Sequence, residues 1–73
     1  MIISLHYSNY STIQGVREYS IFVDRKLVSS GRVMVMDLLD ETAIWLIRKC
    51  VPNAYKAEKL SYRFKGHYYQ ITL

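Results

Sequence analysis

Hydrophobic and polar residues alternate at the beginning of the chain. Within Ile2–Tyr7, every second residue from Ile3 onward is apolar or aromatic, whereas Ser4 and His6 between them are polar. A period of two is typical of a strand that buries one of its faces. Val16–Val23 alternates in the same way, so the pattern predicts two strands.

A loop and a third strand complete the first half of the chain. Ser8–Gly15 is rich in Ser, Thr, Asn and Gly, which predicts a loop between the first two strands. A turn at Asp24–Lys26 leads to a third strand, Leu27–Met36, whose alternation shifts around Gly31 and predicts a β-bulge there. The register of this hairpin stays open, because two-residue and three-residue loops bring different strand faces together.

One helix is predicted after the third strand. Asp37 has the short acceptor side chain preferred at an N-cap. Pro52 disfavours helical geometry at Val51, so the helix ends close to that residue. Charges along the helix match its dipole, and the acids serve the helix start rather than a metal site. These residues are Asp40 and Glu41 in the first turns and Arg48 and Lys49 in the last.

The predicted helix leaves its tryptophan outside the apolar stripe. At about 100° per residue, the stripe consists of Leu39, Ala43, Leu46, Ile47 and Cys50. Trp45 lies about 140° from the centre of this stripe, and Ile44 flanks it on the other side. Either Trp45 contacts a partner or a second copy of the chain, or the loop between the first two strands covers it with Tyr10 and Ile13. The pattern leaves both interpretations open.

The end of the chain predicts a hairpin whose two strands agree on one register. If Lys65 and Gly66 form a two-residue loop, the apolar residues of both strands fall on one face. The opposed pairs are Phe64 with His67, Tyr62 with Tyr69 and Leu60 with Ile71. Asn53–Glu58 then connects the helix to this hairpin, with a short helical turn.

The order β-β-β-α-β-β predicts an α+β fold. We expect a single antiparallel β-sheet of about five strands with one α-helix packed on one face. With three Gly, one Pro and no repeat, residues 1–73 form a single domain. No apolar run reaches the roughly 20 residues that cross a bilayer, and the first residues lack the pattern of a signal peptide. Because Cys50 is the only cysteine and disulfides are typical of small secreted domains, we expect a cytoplasmic protein.

The residues offer few constellations for catalysis. No glycine-rich phosphate loop, zinc-type spacing or paired histidine occurs, so no cofactor or metal is predicted. His6 and His67 lie in strands that the pattern allows to be neighbours, and a lone histidine in a strand is usually a packed or solvated residue. The segment Phe64–His67 resembles the strand-turn segment of HicA-type mRNA-cleaving toxins, in which a histidine after a Lys-Gly turn acts on RNA. The likeness covers four residues, and that family places a helix before its first strand; it implies a small ribonuclease built on His67.

Two groups of residues are candidates for binding a partner. One is the helix surface around Trp45. The other is the basic, tyrosine-rich stretch near the C-terminus. There we expect Arg63, Lys65 and Tyr68 on the open face of the hairpin, with Arg63 and Tyr68 opposite each other. Together the candidates are Trp45, Ile44, Arg48, Tyr55, Lys56, Lys59, Arg63, Lys65 and Tyr68. The alternative for the second group is a solvated face that keeps the domain soluble.

Three functions follow, in this order. The first is a non-catalytic inhibitor or modulator that docks on a larger macromolecular enzyme or complex, as phage and mobile-element accessory proteins of this size often do; a homodimer through Trp45 is compatible with it. The second is a nucleic-acid-binding module that uses the basic hairpin. The third is the ribonuclease. The net charge of +4 favours an acidic partner of either kind.

Overall fold

The protein forms a β-sheet with a helix on one side. The computed structural model describes residues 1–8, 15–34 and 39–72. In chain order the elements are β1 (Ile2–Tyr7), β2 (Val16–Val23), β3 (Lys26–Met34), α1 (Leu39–Cys50), a 3₁₀ turn (Ala54–Lys56), β4 (Lys59–Phe64) and β5 (His67–Ile71). The predicted α+β class and element order are confirmed. The predicted N-cap and the Ser8–Gly15 loop fall largely on residues outside these ranges.

The strand order corrects one part of the predicted sheet. Across the described residues the order is β3-β2-β1-β4-β5. Three pairings are antiparallel, but β1 and β4 run parallel, so the sheet is mixed rather than wholly antiparallel. The reason is the helix: β3 and β4 point the same way because α1 connects them as a crossover, which is how parallel strands are joined. Since β3 also runs parallel to β1, β4 pairs with β1 in parallel.

The first hairpin turns over two residues. Asp24 and Arg25 have φ values of 50° and 71°, the left-handed pair that matches the twist of two antiparallel strands.

The β-bulge of this hairpin lies elsewhere than predicted. Gly31 pairs in register with Tyr19, and the irregularity falls between Ile21 and Phe22. Val28 is the extra residue there, since its neighbours on β3 are the ones that pair with β2.

The second hairpin has the predicted register. Phe64 opposes His67 and Tyr62 opposes Tyr69, around a turn in which Lys65 and Gly66 have φ values of 52° and 80°. The predicted short helical turn before it is the 3₁₀ segment, whose Ala54 is buried. Both features were readable from the sequence because they depend on neighbours close in the chain.

The core lies between the helix and one face of the sheet. All five residues of the predicted helix stripe are buried or packed against the core. The fully or largely buried side chains are Ile3, Leu5, Tyr7, Ile21, Ala43, Leu46, Ile47, Val51, Ala54, Leu60 and Tyr62. Polar contacts join the two layers at both ends: Tyr62 donates a hydrogen bond to Asp40 at 2.5 Å, and Ser29 donates one to the Cys50 sulfur at 3.4 Å.

Candidate functional site

The outer side of α1 exposes an aromatic side chain beside two bases. Trp45 is 54% exposed, and the ammonium of Lys49 lies 4.9 Å from the centroid of its indole ring. Arg48 is exposed and Ile44 half-buried on the same outer half of the helix, because these residues lie away from the buried stripe. We call Ile44, Trp45, Arg48 and Lys49 the helix surface.

The residues just beyond the helix repeat the same combination. Tyr55, in the 3₁₀ turn, is 74% exposed, and the ammonium of Lys56 lies 5.8 Å from its ring centroid. In both places a lysine ammonium lies over the face of an exposed aromatic ring. Such a pair presents a flat apolar surface and a positive charge together, which suits an acidic partner.

The face of the sheet opposite α1 is a second exposed surface. Across four strands, Ser20 pairs with His6, His6 with Arg63, and Arg63 with Tyr68, so these four side chains form one row. Tyr68 is 66% exposed, and the Arg63 guanidinium carbon lies 5.5 Å from its ring centroid. The predicted opposition of Arg63 and Tyr68 is confirmed. We call this side of the sheet the open face.

A groove runs along the open face next to that row. Its volume is about 430 Å³, and it is lined by Ile2, Ser4, His6, Phe22, Asp24 and Arg25. The rings of His6 and Phe22 form one wall, with centroids 5.0 Å apart and planes tilted by 48°. Burial, and then the positive charge of Arg63, lower the pKa of His6. The imidazole is therefore mainly neutral at pH 7 and presents a ring without a full charge.

Two acids and two bases lie on or near the open face. The Asp24 carboxylate accepts a hydrogen bond of 2.9 Å from the backbone N–H of Ile2, and Glu18 pairs with Arg32 at 3.7 Å. Arg63 and Lys59 lie on β4 with no acid opposite them in either strand pairing. Arg63 and Lys59 therefore place two positive charges on this face of β4.

The structure separates the predicted binding residues instead of joining them. Trp45, Ile44 and Arg48 lie on the helix side, whereas Lys59, Arg63 and Tyr68 lie on the open face, with the sheet between the two groups. Tyr55 and Lys56 occupy the connection between helix and β4.

Lys65 differs from its predicted place on the open face. It occupies the turn, and its ammonium lies 5.3 Å from the centroid of Phe64. The Phe64 ring packs edge-on against Tyr7, with centroids 5.9 Å apart, and Tyr7 belongs to the core beneath the helix. The positive φ of a turn residue takes Lys65 out of the strand alternation on which the prediction depended.

The two histidines do not share a site. β4 lies between β1 and β5, and His67 opposes Phe64 on the helix side of the sheet, whereas His6 lies on the open face. The sequence left open whether their strands are neighbours; they are not, because β4 pairs with β1 and separates it from β5. No group of three His, Cys, Asp or Glu side chains able to hold a metal ion occurs in the described part of the chain.

Sequence reasoning missed the groove. Phe22, Ile2 and Arg25 were not singled out, since nothing in the pattern showed that β1 is the central strand. The available signal was the period of β2, which places Phe22 on the face opposite Ile21.

Comparisons with known proteins return no relative. A scan against protein-family models finds no match, and searches of curated proteins and of solved structures find none either. Within the described ranges, the helices are too short or too polar to cross a membrane.

Proposed function

We propose that this protein is a non-catalytic binding domain that docks through the helix surface onto an acidic protein surface of a larger enzyme or complex. The observation that carries this proposal is the position of Trp45, more than half exposed on a helix whose residues Leu39, Leu46 and Ile47 pack on the sheet. Burying such a ring at an interface removes apolar area from water, and tryptophan is enriched among the residues that dominate interface energies.

The charges around Trp45 indicate the kind of partner. Arg48 and Lys49 occupy the last turn of the helix, and Lys56 follows in the 3₁₀ turn. Their positive charge speeds encounter with an acidic surface and disfavours a basic one. Since Lys49 already stands over the indole ring, an incoming carboxylate meets a base and an aromatic surface together.

The proposed role is that of an inhibitor or modulator acting in the cytoplasm. A domain of 73 residues that covers part of a larger protein acts by occupying its surface. The cytoplasmic assignment is supported by Cys50, which is a free cysteine, since small secreted domains usually depend on disulfides. The ribonuclease alternative rests on His67 alone, because His6 lies on the opposite face of the sheet.

Affinity capture with three forms of the protein tests the proposal. Three tagged proteins are used: the wild type, Trp45→Ala and Tyr68→Ala. Each is incubated with a nuclease-treated lysate of the source cells, and the captured proteins are identified by mass spectrometry. We expect one protein to be captured by wild type and Tyr68→Ala and to be lost with Trp45→Ala. Both replaced side chains are more than half exposed, so each variant is expected to fold, which circular dichroism checks.

Two outcomes contradict the proposal. One is equal capture of the same protein by wild type and Trp45→Ala. The other is a complex that disappears with nuclease treatment, which would show that nucleic acid bridges the two proteins. Analytical ultracentrifugation of wild type and Trp45→Ala adds a third arm: a wild-type dimer that Trp45→Ala dissociates would assign the helix surface to self-association instead.

A further inference from the structure

The open face is a second binding site, independent of the helix surface, and we infer that it binds single-stranded nucleic acid. One unstacked base enters the groove beside Phe22 and His6, and successive phosphates of the same strand lie against Arg63 and Lys59. This goes beyond the proposed function, because the site lies on the opposite side of the sheet and takes a different class of partner.

Aromatic rings on an uncovered sheet are the first support. Proteins that bind single strands stack bases on side-chain rings that project from an open sheet. Here His6 and Phe22 project from the adjacent strands β1 and β2, 5.0 Å apart, and Tyr68 projects two strands further along the same row. Both strands that carry the first pair lie inside the sheet, so these rings stand on a rigid support.

The size and shape of the groove favour a single base over a duplex. At about 430 Å³, it lies within the range of roughly 300–1,000 Å³ that is typical of small-ligand sites. Its floor includes Ser4, whose hydroxyl can donate or accept a hydrogen bond at a base edge. A base that is paired and stacked in a duplex cannot enter such a groove, whereas a base of a single strand can.

The charges match a phosphate backbone. Arg63 lies on β4 beside His6, and Lys59 projects to the same face of that strand. The Arg63 guanidinium lies against the Tyr68 ring, and a guanidinium can bind a phosphate through two parallel N–H donors. Of the acids on this face, Glu18 pairs with Arg32, and Asp24 shares the groove lining with Arg25.

Arg25 gives a further indication at the mouth of the groove. It has a φ of 71° at a turn position that strongly prefers glycine. A non-glycine residue is strained in this left-handed conformation, and such strain is often found at binding sites. Its exposed side chain lines the groove, where a guanidinium can contact phosphate or stack on a base.

Fluorescence anisotropy with labelled oligonucleotides tests this inference. The probes are a ten-nucleotide RNA, the same sequence as single-stranded DNA, a duplex DNA, and a single strand of abasic sugars that keeps the phosphates. We expect the wild type to bind the single strands at least about tenfold more tightly than the duplex or the abasic strand, because base stacking contributes only where an unstacked base is available. The RNA and DNA arms show which sugar is preferred.

Two matched variants separate the open face from general electrostatics. Arg63→Gln and Arg48→Gln remove the same charge from opposite sides of the sheet. We expect Arg63→Gln to weaken single-strand binding by about tenfold and Arg48→Gln by less than about twofold. Phe22→Leu, which keeps an apolar side chain in the groove, is expected to bring the affinity for the single strand close to that for the abasic strand.

The inference is overturned by either of two results. One is equal loss of affinity in Arg63→Gln and Arg48→Gln, which would indicate a diffuse attraction to a basic protein. The other is equal affinity for the single strand and the abasic strand, which would exclude base stacking. Neither result bears on protein capture through Trp45, so failure of this inference and failure of the proposed function are distinguishable.

Discussion

Tyr62 on β4 donates a hydrogen bond to Asp40 in the first turn of α1, with an O···O distance of 2.5 Å. The tyrosine is almost completely buried, and burial together with the neighbouring carboxylate raises its pKa. This contact fixes the beginning of the helix over the parallel strand pair. It therefore joins α1 to the central part of the sheet.

Removing that hydroxyl is expected to destabilise the fold. Tyr62→Phe keeps the ring and deletes the hydrogen bond to a charged acceptor, which is worth about 1.5–3 kcal/mol. We expect the free energy of unfolding to fall by about that amount, measured by guanidinium denaturation with an unchanged slope.

Tyr7→Phe is the matched control for this prediction. The Tyr7 hydroxyl is buried and has no hydrogen-bond partner among the described residues, and burial raises its pKa to about 12. Deleting an unsatisfied buried hydroxyl removes a desolvation cost of about 1–3 kcal/mol, so we expect unchanged or increased stability. Equal losses in both variants would contradict the role assigned to the Tyr62–Asp40 contact.

Arg25→Gly is expected to stabilise the domain while weakening nucleic-acid binding. Glycine adopts a φ of 71° without the steric cost of a Cβ atom, and the relief exceeds the entropy lost on folding by about 0.5–1 kcal/mol. The same change removes a positively charged side chain from the groove. Denaturation and anisotropy on one preparation measure both effects.

Lys26→Gly is the control for the turn. Lys26 is the neighbour of Arg25 but begins the strand β3, where glycine weakens the extended conformation. It should lower stability, in contrast to Arg25→Gly. If both substitutions changed stability in the same direction, the strain assigned to Arg25 would be absent.

A side chain at Gly31 is expected to disturb the ring that covers it. A Cβ atom at this position would lie 3.1 Å from the hydroxyl oxygen of Tyr19 and 3.2 Å from its Cε1. Tyr19 packs against the core, so Gly31→Val is expected to cost about 1–3 kcal/mol by overpacking. Ser30→Val, one residue away and on the open face opposite Ser20, should be tolerated. A Gly31→Val protein as stable as the wild type would refute this packing argument.

The stability of the fold is expected to decrease between neutral and mildly acidic pH. The pKa of His6 is lowered in the folded protein by burial and by Arg63, whereas in the unfolded chain it is about 6.5. The unfolded state therefore binds more protons as the pH falls, and the contribution that is present above about pH 6.5 is lost below it. Denaturation at a series of pH values from 7.5 to 5 should show this, and His6→Asn should make the curve flatter. An identical slope in His6→Asn would show that other groups account for the change.

Much of the local structure could be predicted from the sequence. The bounds of β1 and β2 follow from alternation, and the register of the second hairpin follows from the turn at Lys65 and Gly66. These features depend on residues that are close in the chain. The bulge was misplaced, because the sequence signal was Gly31, whereas the residue left without a pairing partner is Val28.

The candidate surfaces were predictable only in part. Helical geometry places Trp45 about 140° from the buried stripe and away from the sheet, but its exposure of 54% is known only from the structure. The groove could not be found in this way. His6, Phe22 and Arg63 are separated by 16 or more positions in the chain, and each belongs to a different strand.

By itself, the sequence determined which residues form strands and helix and which side of each is apolar, since periodicity and turn chemistry act over a few residues. Only the tertiary structure decided that β1 lies at the centre of the sheet, between β2 and β4. The physical reason is the crossover: the helix must cover the apolar faces of several strands, and carrying the chain over them places β4 parallel to β1. That pairing brings His6 beside Arg63 and creates the open face.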